Sequence, residues 1–360
     1  MKLTVNQLLD KANNAHKKGN YQKAARFYKK ILDVQPKNIN VYNNLGDALK
    51  NLGKTEKAEK NFNMAINLKP NFSKAHYNLG NLLINIKRHE EAIKSYRKEI
   101  IANPNFVQAY YNLATIQQGM ERYEEAVKNF KKVIELNPNL TEVKHIIASL
   151  TGKTTSSAPR AYVEKLFDTY ASEFENSLIK KLDYKIPKAM FDLIVNKNSK
   201  NSLGSILDLG CGTGLVGLKL KKFCSKLVGI DLSNSMLEKA KKKNVYDELI
   251  HQDITDYLLN EELNYDYYIF ADVFIYIGEL SEIFRLIKLR NKSKGKLLFS
   301  TEHIDNDEFV LEKSGRYSHS ESYIKNLCKK YDYKVLHFEK MTLRKEKEKL
   351  ITGGLYLLDF

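Results

Sequence analysis

Four of the six prolines stand at Pro36, Pro70, Pro104 and Pro138, each 34 residues after the one before. The same period carries Ala24, Ala58, Ala92 and Ala126, then Tyr28, Phe62, Tyr96 and Phe130, with Leu45-Gly46, Leu79-Gly80 and Leu113-Ala114 between them. A small residue lets a neighbouring helix approach closely, an aromatic four positions later lies on the same face, and a proline closes the helix. Each unit therefore reads as a helical hairpin, and such hairpins stack into an array because none buries its apolar face alone.

The pattern resembles the tetratricopeptide repeat. Four units cover about 5–140 and a capping helix is expected over 141–150, which makes residues 1–150 an all-α solenoid domain. The first unit departs from the pattern, with Lys11-Ala12 where later units have Leu-Gly or Leu-Ala. In such an array the first helices line a concave face, and Asn44, Asn78 and Asn112 recur there at the same spacing, with Asp10 in the first unit. An amide both donates and accepts, so a ladder of them can grip the backbone of an extended peptide. This is similar to the asparagine ladder of protein O-GlcNAc transferases. The competing reading is that these amides bond between neighbouring repeats.

Residues 151–160 hold Thr, Ser, Gly and Pro without helical or strand period and read as a linker. Val163, Leu166, Phe167, Tyr170 and Phe174 then mark an amphipathic helix. From residue 203 short β-branched runs alternate with polar helical stretches, the sign of a parallel sheet with helices on both faces. Ser205-Ile-Leu-Asp-Leu-Gly-Cys-Gly-Thr-Gly214 is an apolar strand entering a glycine turn before a helix, where backbone N–H groups can approach a ligand. A second strand, Lys226–Asp231, ends in an acid 17 residues after Gly214, the place for an acceptor of ribose hydroxyls. No Lys-Ser/Thr follows the turn, which excludes a phosphate-binding P-loop.

These residues resemble the class I S-adenosylmethionine-dependent methyltransferases, a Rossmann-like α/β fold with a seven-stranded, mostly parallel sheet, expected here over 161–360. The whole chain resembles bacterial methyltransferases that carry an N-terminal tetratricopeptide array, through L-F-D-x-Y-A-x-x-F from Leu166, G-R-Y-x-H-S from Gly315 and L-R-x-E from Leu343. The resemblance implies that Asp208 and the backbone at Gly210, Gly212 and Gly214 hold the methionine part of S-adenosyl-L-methionine. It also implies that Asp231 binds the ribose, that Leu232 and Met236 flank the adenine and that Asp253 accepts from its amino group, a helix N-cap being the alternative for Asp253. The helix before the domain would act as a lid, with Tyr170 and Phe174 over the sulfonium, or as plain core packing.

Asp272 closes the fourth strand, at the edge that faces the methyl group in these enzymes. His319 is a candidate general base or substrate orienter, against an ordinary capping role. Arg316, Tyr317 and Arg344 are candidate substrate contacts, Arg being suited to bidentate anion binding. There is no N/D-P-P-Y/F and no Pro-Cys after the fourth strand, so methylation of nucleic-acid bases loses its support. The expected function is methyl transfer by a domain whose repeats recruit a protein or peptide; the alternative is a repeat scaffold with a cofactor-binding but non-catalytic domain.

Charge bears on the partner. The chain carries +16, yet residues 1–150 hold 25 basic against 13 acidic residues and 151–360 hold 34 against 30. The surplus belongs to the repeats and favours an acidic protein or peptide there over nucleic acid. Cys211, Cys224 and Cys328 have no metal-ligand or disulfide spacing, so no metal is expected. The most apolar stretch, 267–277, is too short to cross a bilayer and contains Asp272. With no signal-peptide core at the N-terminus, a cytoplasmic location is expected.

Overall fold

A computed structural model describes residues 3–177, 182–197, 202–305, 308–346 and 349–360. The chain divides into two compact units, 1–140 and 141–360. The first is all helical: α1 (Val5–Lys17), α2 (Tyr21–Val34), α3 (Ile39–Asn51), α4 (Thr55–Leu68), α5 (Ser73–Asn85), α6 (His89–Ala102), α7 (Val107–Gly119) and α8 (Tyr123–Leu136). Thr4 opens α1 with a capping box completed by Gln7, satisfying two donors that the first turn leaves open. Each 34-residue proline falls two residues beyond the end of α2, α4, α6 or α8, where no further helical N–H is needed. The periodic alanines and aromatics are buried, and Ala24, Ala58, Ala92 and Ala126 are fully so.

The Leu-Gly positions are explained by those aromatics. A Cβ at Gly46 would stand 2.6 Å from the Phe62 ring, and one at Gly80 would stand 2.7 Å from the Tyr96 ring. The glycine therefore sets how closely the two helices of a hairpin pack, with the ring of the second helix lying on the backbone of the first.

The second unit begins earlier than the sequence suggests. Helix α9 (Thr141–Leu150), expected as the cap of the repeats, belongs to this unit. Ala148 packs with Ala158, Leu311 and Tyr317, and His145 Nε2–H donates to the Gly315 carbonyl at 3.0 Å. The segment after it is not a free linker. The Ser156 carbonyl accepts from Gly278 N–H (2.9 Å) and Glu279 N–H (2.8 Å), and Ala158 N–H donates to the Tyr276 carbonyl at 3.0 Å. Helix α10 (Arg160–Tyr170) follows, one turn shorter than its apolar pattern, then α11 (Ile186–Lys197).

The remainder is an α/β domain: β1 (Ser205–Leu209), α12 (Leu215–Leu220), β2 (Lys226–Asp231), α13 (Asn234–Lys243), β3 (Glu248–His251), α14 (Ile254–Asn260), β4 (Tyr267–Phe270), α15 (Ser281–Arg290), β5 (Lys296–His303), β6 (Phe309–Leu311), β7 (Tyr317–His319), α16 (Glu321–Tyr331), β8 (Lys334–Glu346) and β9 (Lys349–Asp359). Strands β3, β2, β1, β4 and β5 are parallel neighbours in that order, and β9 runs antiparallel beside β5 with β8 outside it. Those are the seven expected strands. The three-residue strands β6 and β7 add a small hairpin at the end of β5, giving nine.

The β8–β9 hairpin is long, residues 341–346 of β8 pairing with 349–353 of β9. A bulge between Thr342 and Arg344 lets Leu343 and Arg344 both turn inward, the usual effect of one extra residue in a ladder. Among the described residues no helix is long and apolar enough to cross a membrane.

Gly80→Ala is expected to lower the unfolding free energy by about 1–3 kcal/mol through overpacking against Tyr96, measured by urea melts of the full chain. Gly119→Ala, where a Cβ meets nothing within 4 Å, is expected to be neutral or stabilising, since alanine is the better helix former.

Candidate functional site

A cavity of about 690 Å³ opens at the carboxyl ends of β1, β2 and β4. Strand β1 runs into the glycine turn, where Gly210, Gly212 and Gly214 take φ of +72°, +55° and +85°. Only glycine adopts these values cheaply, and Gly214 then starts α12. A Cβ at Gly210 would lie 2.4 Å from Val273, so the turn also fits closely under the segment that leaves β4. Gly212 faces the cavity, with nothing nearer its Cβ position than Phe174 at 3.9 Å.

Asp231, the last residue of β2, points into the same space. Its Oδ2 accepts from Gly212 N–H and its Oδ1 from Ser233 N–H, both at 2.8 Å. Burial pushes this carboxyl up to about 6, and the backbone donors oppose the shift. Asp253 caps α14 by accepting from Thr255 N–H (2.9 Å) and Asp256 N–H (3.2 Å).

Helix α10 forms one wall and is tied down at both ends. Arg160 pairs with Asp253 at 3.0 Å and with Asp256 at 2.6 Å. Asp168 accepts from the Ser233 hydroxyl (2.6 Å) and from Ser235 N–H (3.1 Å). Beside the second tie Phe167 packs edge-on to Tyr276 and Phe174, and Tyr170 edge-on to Phe174. Leu166, Phe167, Tyr170 and Phe174 all line the cavity.

The opposite wall is ionic. Asp272 has φ +57°, rare for a non-glycine residue. Its Oδ1 accepts from the Ser300 hydroxyl at 2.8 Å and its Oδ2 from Arg344 at 3.0 Å. Arg344 also donates to Glu302, which accepts from Arg316 Nε at 2.7 Å, and Arg316 Nη2 donates to Glu346 at 2.6 Å. Burial raises the Asp272 carboxyl, and the Arg344 charge opposes the rise. Asp272, Arg316, Arg344 and Glu346 line the cavity, with Glu302 behind them.

Of the residues singled out from sequence, the cavity gathers Tyr170, Gly210, Gly212, Asp231, Leu232 and Asp253 on the glycine-turn side and Asp272, Arg316 and Arg344 on the other. Others lie elsewhere. His319 is fully buried outside the lining, its Nε2–H donating to the Gly278 carbonyl at 2.8 Å and its ring stacked on Tyr323. Burial pulls its pKa down to about 4, so it stays neutral. Tyr317 is buried against α9, its hydroxyl 2.6 Å from that of Thr155. Met236 is core, Gly214 packs on Tyr246, and Asp208 sits behind the turn accepting from the Tyr246 hydroxyl at 2.7 Å.

In the repeats, Asn78 Nδ2 donates to Asn43 at 2.9 Å, and Asn112 Nδ2 donates to Asn81 at 3.1 Å and to the Tyr96 hydroxyl at 3.2 Å. Asn44 accepts from Asn43 at 3.3 Å. Asn78 and Asn112 thus bond across repeats and Asn44 within its own helix, and all three stay half-buried.

A family model described as a methyltransferase domain matches residues 200–350, and tetratricopeptide repeat models match 8–38, 39–72, 61–94 and 107–140. The chain joins tetratricopeptide repeats to a methyltransferase domain. An uncharacterized methyltransferase of Schizosaccharomyces pombe is 33% identical over 97 residues, 23% of this chain and 34% of the relative. A malonyl-[acyl-carrier protein] O-methyltransferase of Bacillus anthracis is 28% identical over 145 residues, 39% of this chain and 53% of the relative. The chain thus spans about a third to a half of the length of the curated relatives it matches. The magnesium protoporphyrin IX methyltransferase of Synechocystis, solved with bound SAH, aligns at 15% identity and TM-score 0.43 over 56% of this chain and 98% of its own.

Several residues of the methyltransferase domain's site are not singled out by sequence reasoning. Arg160 and Asp168 read as ordinary polar positions of an amphipathic helix. Glu302 stands in the polar end of β5, Ser300-Thr-Glu-His303, which carries no signal of its own. Tyr246 fills the space behind the turn, where a Cβ at Gly214, Gly217 or Gly229 would stand 3.0, 2.5 or 2.9 Å from its ring.

Burial pushes Asp208 up to about 7, and its Oδ1 has no partner. The unfolded carboxyl titrates near 3.8. The stability tied to this group is therefore fully present below about pH 4 and is lost as the pH rises through about 7. Asp208→Asn is expected to melt higher than the unmutated chain at pH 8, by about 2–4 °C per kcal/mol relieved. The gap should close toward pH 4 in thermal melts.

Proposed function

We propose that the methyltransferase domain, read from sequence as 161–360, binds S-adenosylmethionine and transfers its methyl group, and that the repeats of 1–150 hold a protein partner. The observation that carries this reading is the Asp231 carboxylate, fixed at the edge of the cavity by Gly212 N–H and Ser233 N–H. Each of its oxygens keeps a second lone pair for a ribose hydroxyl. The residues fit the cofactor in two further respects. The Cβ position of Gly212 opens toward the cavity, and Asp208 keeps a buried oxygen without a donor.

In this reading Asp231 orients the ribose, Leu232 and Asp253 border the adenine, and Asp208 acts on the methionine part from behind the glycine turn. When bound, the cofactor supplies an electrophilic methyl group open to in-line displacement. The chain's part is to position and to exclude water. Tyr170 at the end of α10 and Phe174 just beyond it cover the reacting end, and the ties of α10 at Arg160 and Asp168 hold the lid over the site. In the repeats, Asn44, Asn78 and Asn112 offer their remaining polar atoms to a peptide, and the basic surplus of 1–150 favours an acidic one. The three cysteines are free, which suits a reducing, cytoplasmic setting.

Calorimetry is expected to show S-adenosylmethionine binding to the full chain and at least tenfold weaker binding, ~1.4 kcal/mol, by Asp231→Ala. No heat of binding with the unmutated chain rejects the cofactor assignment. A glutamate-rich peptide followed by fluorescence anisotropy is expected to bind at low salt and to weaken steadily as salt rises, because exposed charges are screened. A flat salt response rejects the electrostatic account of the repeats.

A further inference from the structure

The carboxylates that line the methyltransferase cavity are all occupied by donors. Asp231 accepts from two backbone N–H groups, Asp253 caps α14 and pairs with Arg160, Asp272 is held by Ser300 and Arg344, and Glu346 is held by Arg316. Among the described lining residues there is no histidine, lysine or cysteine, and His319 is sealed away from the space. Hence each described carboxylate there is already committed to donors or, in the reading above, to the ribose of the cofactor, and none is left over to take a proton from an acceptor. An alcohol or an ammonium would need that help before attacking a methyl group, whereas a carboxylate is already an anion.

The donors show the converse. Arg344 spends its guanidinium on Asp272 and Glu302. Arg316 uses Nε on Glu302 and Nη2 on Glu346, and its Nη1 has no partner among the described residues. Two further lining residues, Tyr184 and Tyr276, have no hydrogen-bond partner for their hydroxyls among the described residues. Both lie within electrostatic reach of Asp272 and Arg344, and burial keeps both phenols protonated, so they can only donate to an anion. The wall has three carboxylates against two guanidiniums, so what it offers is directed N–H and O–H rather than net positive charge. Around these donors the lining is aromatic and apolar, with Phe167, Phe174, Ile275 and Ile277.

Resting on the cofactor reading above, we propose that the methyl acceptor is a small carboxylic acid with an apolar body, its carboxylate held by Arg316 Nη1 and by the hydroxyls of Tyr184 and Tyr276. One carboxylate oxygen attacks the methyl carbon. The C–O bond forms as the C–S bond breaks, the sulfur keeps the bonding pair, and a neutral methyl ester and a neutral thioether result. No proton moves, which is why the site can work without a base. The neutral ester loses its charge-assisted hydrogen bonds and leaves more readily than the acid enters.

The test uses the full chain, S-adenosylmethionine labelled in the methyl group, and a small-molecule extract of a bacterial lysate, before and after its carboxyl groups are amidated with a carbodiimide. Matched probes are phenylacetate, phenylacetamide and phenethylamine. The proposal expects label that mild base releases as methanol, and transfer lost after amidation. Tyr276→Phe, which keeps the ring, and Arg316→Ala are each expected to raise KM for the acid at least tenfold with cofactor affinity unchanged. If Arg316→Ala does not fold, Tyr276→Phe and Tyr184→Phe carry the test. Base-stable product, transfer that survives amidation, or no transfer to the extract while calorimetry shows cofactor bound, each overturns the carboxylate assignment and leaves the cofactor reading standing. Absence of cofactor binding instead overturns the reading beneath it.

Discussion

Four parallel strands deliver a buried acid to one edge of the sheet. Asp208 closes toward the end of β1, Asp231 ends β2, Asp272 follows β4, and Glu302 lies near the end of β5. Four carboxylates brought together out of water would repel one another and resist ionisation, so the domain depends on giving each its own compensation. Asp208 has a phenol, Asp231 two backbone amides, Asp272 a serine and an arginine, and Glu302 two arginines. Much of the rest of the site is explained by this requirement. The glycine turn brings an amide to Asp231, and the bulge in β8 turns Arg344 inward between Asp272 and Glu302.

The two sides of the cavity differ in how compensation is achieved. On the glycine-turn side it comes from backbone, whose position is fixed by the strands themselves. On the far side it comes mainly from long side chains just before β7 and on β8, late in the chain and remote from β4 in sequence. Removing one member of such a buried ionic set leaves its partners charged and unpaired, so the set stands or falls together. The glycine-turn side is thus fixed by local sequence, and the far side by long-range contact.

That contrast explains what could be read before the fold was known. The 34-residue period names its own packing, because a missing Cβ at Gly46 and a ring at Phe62 are two halves of one contact. D-L-G-C-G-T-G followed by Asp231 is likewise local: a strand, a turn and the next strand. His319 misleads because a histidine amid polar residues looks available, whereas strand pairing buries it against Gly278. Arg344 is a candidate from its motif, yet only the β8–β9 register and its bulge bring it between Asp272 and Glu302, with Glu346 beside Arg316. Tyr184 and Tyr276 carry no pattern at all, since a tyrosine whose hydroxyl lacks a partner is recognised only when its surroundings are known.

The stitching of 154–158 also redefines where one module ends. Thr154, Thr155, Ser156 and Ala158 bond to Leu311, Tyr317, Gly278 and Tyr276, so this stretch acts as an extra edge of the methyltransferase domain. A gene fusion that joined a different repeat array at Ala161, the place composition suggests, would discard part of the cavity's own framework. Exchange of arrays between such proteins is compatible with an intact methyltransferase only at a seam before Thr141. The recombination unit is therefore longer than the domain that sequence patterns outline, and α9 travels with the second unit.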